Sequence, residues 1–562
     1  MTGPPRRLSV PLWAVVGLAL ACYWRVGYGY GTGDHEEILP QLLRALDPTL
    51  FPRDPYLLAE DDAFSVRFVF LGLLRALCVV LPPPVAVFAL TVASWLGVSW
   101  AASRLALTLL DAPTGPLRAP ARRQAAAVLA VLATVATVYW TPGSNTMVSH
   151  TLVPEPLAWT PVLLAVDAFA RGRPVRSAAW LGAAAWLQPL VGLQFGLLLG
   201  LVGLWGMADG DARRALGRAV GFGAVFFAVA SPVLVPTLLT QAGTAPPDDG
   251  LTTFYVTAWL RQAHHYLLSF QPPVVLLRFG IVVAAGLAGF AVLRQRGATP
   301  ARAQFAVRLL AVTAALVVFY VAMTEGAESL TVAKMQFFRL TVLAKLVLLT
   351  WAAGAAVALV PDRWPTPSLP GWLTPSLPGW RRVPAALARR PAAWGWGAAA
   401  GAVALTVALG LGGVGRAAAG WRPSEHAATD VFRAEDWVRR STPRDALFLV
   451  PPSTTSFRSH ALRSVAVNFK PTTFRDDAMH GWLARLRVLA PAPLPPRGGG
   501  RAALQAWRDG LDPAYGAHTP ADWARLARTF GADYALVDLA QTPTPPAGRP
   551  VYQAGDWAVF EL

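Results

Sequence analysis

The feature that most constrains this chain is a series of apolar runs, each near the length of a bilayer crossing, joined by short Arg-rich loops. A helix needs about 20 mostly apolar residues to span a hydrocarbon core. Such runs occupy 8–26, 85–110, 124–141, 152–170, 219–240, 274–293, 304–323, 338–360 and 393–413, with a tight pair within 177–206 broken at Gln188–Pro189. The pattern predicts an α-helical polytopic membrane protein with about eleven transmembrane helices. Composition agrees, because only 14% of residues are charged, against roughly 25% in soluble domains. The net charge of +17 would suit nucleic acid, but the Arg residues sit in inter-span loops, as the positive-inside rule requires, and no nucleic-acid partner is expected. The first run lacks a small-residue cleavage site and reads as a retained anchor. Cys22 and Cys78 offer no metal or redox spacing.

Loop charge sets the topology. The run 64–82 carries Arg67 and Arg75 behind an acidic "EDD". If it lies along the interface without crossing, the loops with Arg6/Arg7, Arg118/Arg122/Arg123, 171–176, Arg213/Arg214/Arg218, Arg294/Arg296/Arg302 and the Pro-rich linker 361–390 share one side. Acidic loops then share the other. Because Lys and Arg resist translocation, this arrangement is favoured. It places the N-terminus in the cytoplasm and the C-terminal part outside; the abundance of Arg, Ala, Gly and Pro against three lysines reads as a GC-rich bacterial genome, and so the membrane as the cell's inner membrane.

Two domains follow. Residues 1–420 form the membrane domain, with an acidic first outer loop at 27–63. Residues 421–562 hold no crossing and alternate β-rich stretches (446–450, 463–469, 532–539, 557–562) with helical ones (479–489, 519–530), which predicts a small extracytoplasmic α/β domain. Thr519, Pro520 and Asp522 have the spacing of a helix start.

The first loop opens "GYGYGTGDHEEILPQLLRAL". Ile38, Leu42, Leu43 and Leu46 give one apolar stripe, expected to lie flat in the headgroups. Glu36 and Glu37 suit a helix N-terminus. Asp34 follows four glycines in eight residues, so the backbone can turn tightly and present a carboxylate as a general base.

One crossing, an acidic outer loop, many further crossings and an outer C-terminal domain together resemble the C-class integral-membrane glycosyltransferases (the GT-C fold). The stretches "GDHEEILPQLLRALDPTLFPRDPYL", "HTLVPEPLAW", "RQAHHYL" and "WVRRSTPRDALFLVPPSTTSFRSHALRSVAVNFK" look closest to a bacterial group of multi-span proteins within that class. The resemblance implies transfer of a sugar from a polyprenyl-phosphate donor to a glycan, lipid or protein acceptor at the outer face. It puts the catalytic role on Asp34, with Glu36 and Glu37 as alternatives. The loop reads Asp-His-Glu-Glu and no second DxD follows, so a divalent metal stays open; His35 is read as a solvent-facing loop residue ahead of a metal ligand. A lipid phosphate needs cations, which Arg can supply bidentately. The expected substrate-binding set is Arg261, His264, His265, Lys334, Arg339 and Lys345, with Glu155 as a further acid; the alternative for the cations is snorkelling to the headgroups, which suits Arg339 better than Lys345, and for Glu155, beside two prolines, a helix start. Ser453 and Arg458 are candidates for acceptor contact or for a structural turn. Competing readings are a transporter or flippase of lipid-linked glycans and a non-catalytic scaffold of the same fold. The transporter reading lacks the repeated, symmetrically broken spans expected of it.

Overall fold

The structure, a computed structural model, describes residues 9–61, 64–205, 212–242, 247–360, 429–471, 473 and 475–562. The Pro-rich linker and the expected crossing at 393–413 lie outside the described residues. The other expected crossings are all helical: α1 (Leu12–Val26), α5 (Pro83–Leu109), α6 (Pro120–Ala136), α7 (Pro154–Ala170), α8 (Pro174–Leu187), α9 (Pro189–Trp205), α10 (Ala212–Ala242), α12 (Pro273–Gln295), α13 (Ala303–Val321) and α15 (Leu340–Leu359). Among the described residues, five helical stretches are long and apolar enough to cross a membrane, which makes this a multi-pass membrane protein. Six of these crossing helices begin on proline, whose missing N–H is one of the donors a helix start leaves unpaired anyway.

The core gathers around α5, α7 and α15, where Trp159, Trp351, Leu163 and Leu343 are buried. Small residues let helices approach closely, as is usual in lipid. A Cβ added at Gly289 of α12 would stand 2.7 Å from the Ala352 Cα of α15.

The first loop holds α2 (His35–Leu46), α3 (Pro55–Asp61) and α4 (Phe68–Cys78). At 11 residues, α4 is about 16 Å long, too short to cross, as loop charge implied. The apolar stripe of α2 departs from expectation. Ile38 and Leu42 bury against Phe70, Leu74, Val87 and Leu152, while Leu46 stays exposed. The stripe is roofed by α4 and α5, so it packs on protein and not on headgroups. A π-helical stretch, Phe254–Arg261, then α11 (Ala263–Tyr266) and α14 (Leu330–Lys334) complete the loops at this end of the helices.

The C-terminal part is a five-stranded mixed sheet with order β2-β1-β3-β5-β4. Its strands are β1 (Leu447–Leu449), β2 (Ser464–Val465), β3 (Tyr534–Asp538), β4 (Tyr552–Ala554) and β5 (Trp557–Glu561). The first three run parallel; β5 is antiparallel to β3 and β4. Around them lie α16 (Asp430–Ser441), α17 (Phe457–Ala461), α18 (Asp476–Leu489), α19 (Gly500–Asp509), α20 (Leu511–Gly516) and α21 (Pro520–Phe530). The expected capping box is present, with Thr519 and Asp522 exchanging side-chain and backbone bonds.

This domain docks onto the first loop through buried charge. Asp54 and Arg458, both sealed from solvent, pair at 2.6 Å, and the partly exposed Arg53 and Asp533 add a second pair at 2.6 Å. Arg458 also donates to Asn468 Oδ1 at 2.7 Å. It is therefore a docking residue, and Ser453 is engaged with Asp512. Neither lines the cavity described below.

Candidate functional site

A cavity of about 630 Å³ lies where the first loop, the turn before α7, the α8–α9 break, α10, the 261–266 segment, the 330–339 segment and the C-terminal domain meet. Sequence-distant charges line it. Asp34, Glu37, Glu155, Arg261, His264, His265, Lys334 and Arg339 are all on its wall. Glu36 and Lys345 are not among the lining residues.

The three first-loop acids have separate environments. Gly31 and Gly33 adopt φ of 76° and 57°, a left-handed geometry that costs glycine little, and they turn the chain into α2. Asp34 occupies the N-cap position but makes no capping bond with its side chain. Its Oδ1 instead accepts from Lys470 Nζ at 3.0 Å. Crowding by surrounding protein raises the Asp34 carboxyl although its side chain stays largely open to solvent, but the Lys470 ammonium, with His265 and Arg67 beyond it, outweighs that and holds it at about 2. Glu37 is buried between two guanidiniums, Arg67 at 2.6 Å and Arg261 at 3.0 Å. Both its oxygens are taken, so it is an anchor for cations. Glu36 points to the C-terminal domain, where burial raises its carboxyl against a hydrogen bond from Thr455.

His35 departs from expectation as well. It is buried, and its Nε2 accepts from the Leu152 N–H at 2.9 Å. Burial lowers the imidazole to about 4, so it is neutral and pins the loop to the residues before α7. Among the described residues no three His, Cys, Asp or Glu side chains gather as a metal site.

Opposite Asp34 stand the cations. Arg339, which leads into α15, is nine-tenths buried. Its Nε donates to Glu155 Oε2 at 3.0 Å and Asn145 Oδ1 at 3.2 Å, while Nη1 has no hydrogen-bond partner among the described residues. Asn145 Nδ2, Gln188 Oε1 and Gln336 Oε1 are likewise buried without partners and belong to lining residues. Buried polar atoms normally find partners, so this group of orphans leaves the cavity wall with hydrogen-bonding capacity that a polar ligand would satisfy. Gln336 is held at φ 47°, ψ 48°, an unusual conformation for a non-glycine residue. His265 donates from Nδ1 to the Gly143 carbonyl at 2.8 Å, leaving Nε2 as an acceptor, and burial lowers its basicity. The His264 ring lies 4.0 Å from it, tilted by 41°; that neighbour first, then burial, pushes His264 to about 2. Lys334 pairs with Asp476 at 2.7 Å. Lys345 is elsewhere, donating to the Thr137 and Val138 carbonyls at 2.7 and 3.3 Å, where it satisfies the end of α6.

Sequence reasoning missed Lys470, Arg67, Asp476 and the amides Asn145, Gln188 and Gln336. One signal was available. The chain has only three lysines, and two of them, Lys334 and Lys470, line this cavity. Leu190, Leu193, Leu234, Leu238 and Met335 form its apolar wall; Leu238 is 55% exposed on the outside of α10.

A family model described as a domain of unknown function (DUF6798) matches residues 429–489, the stretch from α16 to the end of α18. No curated protein matches the chain. Among solved structures, the chain is similar to the crystal structure of ArnT from Cupriavidus metallidurans bound to undecaprenyl phosphate. That match has 14% identity and a TM-score of 0.48, and covers 98% of this chain and 96% of that one.

Proposed function

We propose that this protein is a GT-C-type membrane glycosyltransferase that moves a sugar from a polyprenyl-phosphate donor to an acceptor hydroxyl at the extracytoplasmic face, with Asp34 as the base. The observation that carries the reading is the one cavity whose wall holds Asp34, the incompletely paired Arg339 guanidinium and an apolar strip from α9 and α10. Those are the three elements that an acceptor hydroxyl, a phosphate and a prenyl tail require. A buried phosphate without cationic partners would be costly, and guanidinium groups are the strongest partners available for it.

In the reaction the acceptor oxygen bonds to the anomeric carbon as its proton passes to Asp34. The bond from that carbon to the phosphate oxygen breaks, and its electron pair leaves on the polyprenyl phosphate. Arg339 and Lys334 offset the charge that gathers there, and His265 Nε2 accepts from a donor hydroxyl. Arg261, fixed by Glu37, and Glu155, fixed by Arg339, shape the wall. The Arg-rich loops support an inner-membrane orientation with a cytoplasmic N-terminus and an outer C-terminal domain.

The test is full-length protein in lipid nanodiscs, supplied with a panel of polyprenyl-phosphate sugars and acceptor glycans, lipids and peptides. Wild type is expected to consume a donor and Asp34→Asn to lose turnover while still binding it. Turnover by Asp34→Asn at the wild-type rate would remove Asp34 from the chemistry. Donor translocation without consumption would overturn the transferase reading.

A further inference from the structure

A carboxylate held at about 2 is a weak base, since general bases work best with a pKa near the operating pH. The geometry around Asp34 suggests how this is resolved. We propose that Lys470, which the C-terminal domain inserts into the cavity, exchanges Asp34 for the donor phosphate when the donor binds, so that the base is unmasked only in the loaded enzyme. This rests on the polyprenyl-phosphate reading above.

Three observations support the exchange. The first is the pivot. The Arg261 guanidinium donates to the carbonyls of Lys470 and Pro471 and is itself gripped by Glu37 at 3.0 Å. The backbone of Lys470 is thus anchored, while its ammonium makes one ion pair, to a carboxylate that is 61% exposed. A lysine head on a flexible four-carbon stem can swing where a bidentate Arg cannot.

The second is charge. The lining cations are Arg67, Arg261, Lys334, Arg339 and Lys470, and the lining carboxylates are Asp34, Glu37, Glu155 and Asp476. With the histidines neutral, the cations exceed the carboxylates by one. A sugar phosphodiester carries a single negative charge and neutralises that excess.

The third is that the other cations are more firmly held. Arg67 and Arg261 share Glu37, with Arg67 at 2.6 Å, and Lys334 is bound to Asp476 at 2.7 Å. Lys470 has the most exposed of these pairs. The charged and titratable groups that act on Asp34 are Lys470, His265 and Arg67, His150, Glu155, Arg261 and His264. Only Lys470 hydrogen-bonds to it among them. Its departure therefore makes the largest change in the basicity of Asp34.

The experiment measures binding of undecaprenyl phosphate, as the probe, to full-length protein in nanodiscs. Lys470→Gln is expected to weaken binding roughly 10-fold, and Lys470→Arg to recover most of it. Asp34→Asn is expected to tighten binding several-fold, because it releases the ammonium. In transfer assays the acid limb of the kcat/KM profile, which reports the free enzyme, should move to higher pH in Lys470→Gln while that of kcat stays in place, whereas a Lys470 that never leaves Asp34 would make both limbs move. Asp533→Asn, which perturbs docking away from the cavity, controls for loss of domain contact and should bind like wild type. Equal binding by wild type and Lys470→Gln, or weaker binding by Asp34→Asn, overturns the exchange while leaving the donor reading intact. Failure of wild type to bind the probe overturns both.

Discussion

Replacing Arg458 by Met should loosen the C-terminal domain from the first loop, and the structure gives the size of the effect. Asp54 and Arg458 are 0% and 2% exposed. Breaking a buried pair from one side costs about 3–5 kcal/mol, because the remaining charge is left uncompensated. Asp54 is not left wholly bare, since it also accepts from the backbone N–H groups of Tyr56, Leu57 and Val465 at 3.1, 3.3 and 3.0 Å. The lower end, about 3 kcal/mol, is therefore expected, and it corresponds to an opening equilibrium larger by roughly two decades. Hydrogen exchange read by mass spectrometry should show this in peptides spanning 50–57 and 457–469, with α1 and α15 unchanged as internal references. Adding Asp54→Leu to Arg458→Met should recover much of the loss by removing the stranded carboxylate. Unchanged exchange in both segments would mean that the pair has no net effect and that apolar contacts alone hold the domain. The functional consequence is direct, because this docking positions Lys470 over Asp34.

Three further outcomes are expected. His35 sits at about 4 against an ordinary 6.5, so the folded state binds its proton less readily than the unfolded chain. Stability should be full above pH 6.5 and fall as pH drops toward 4, by about 3 kcal/mol in total; the difference between wild type and His35→Gln in thermal midpoint across that window measures it, and parallel curves would refute it. Lys345→Met should leave undecaprenyl phosphate binding unchanged, while leaving the Thr137 and Val138 carbonyls unpaired at about 1–3 kcal/mol of stability. Weaker binding would return Lys345 to the donor site. Arg339→Met paired with Glu155→Gln, which avoids stranding a buried carboxylate, should fold yet bind undecaprenyl phosphate at least roughly 10-fold more weakly, and binding at the wild-type level would exclude Arg339 from the phosphate contact.

The sequence by itself determined the membrane layer. Apolar runs of bilayer length, prolines at helix starts and Arg-rich loops are local signals, and a helix in lipid satisfies its own backbone bonds, so Pro189 beginning α9 and the short α4 were legible without tertiary information. The Thr519–Asp522 capping box belongs to the same class, since its partners are three residues apart. The sequence also marked the first-loop acids as a group, but it left the choice among them open. Helical spacing sends Asp34, Glu36 and Glu37 in different directions, and only packing decides what each one meets. Glu37 meets Arg261 across 224 positions, and Asp34 meets Lys470 across 436. Lys345, which fell on the expected substrate list for lying in a crossing, was assigned by the α6 carbonyls that packing brings to it. Periodicity is a property of neighbours along the chain, whereas a charged site is assembled from segments whose proximity depends on how the helices and the C-terminal sheet pack together.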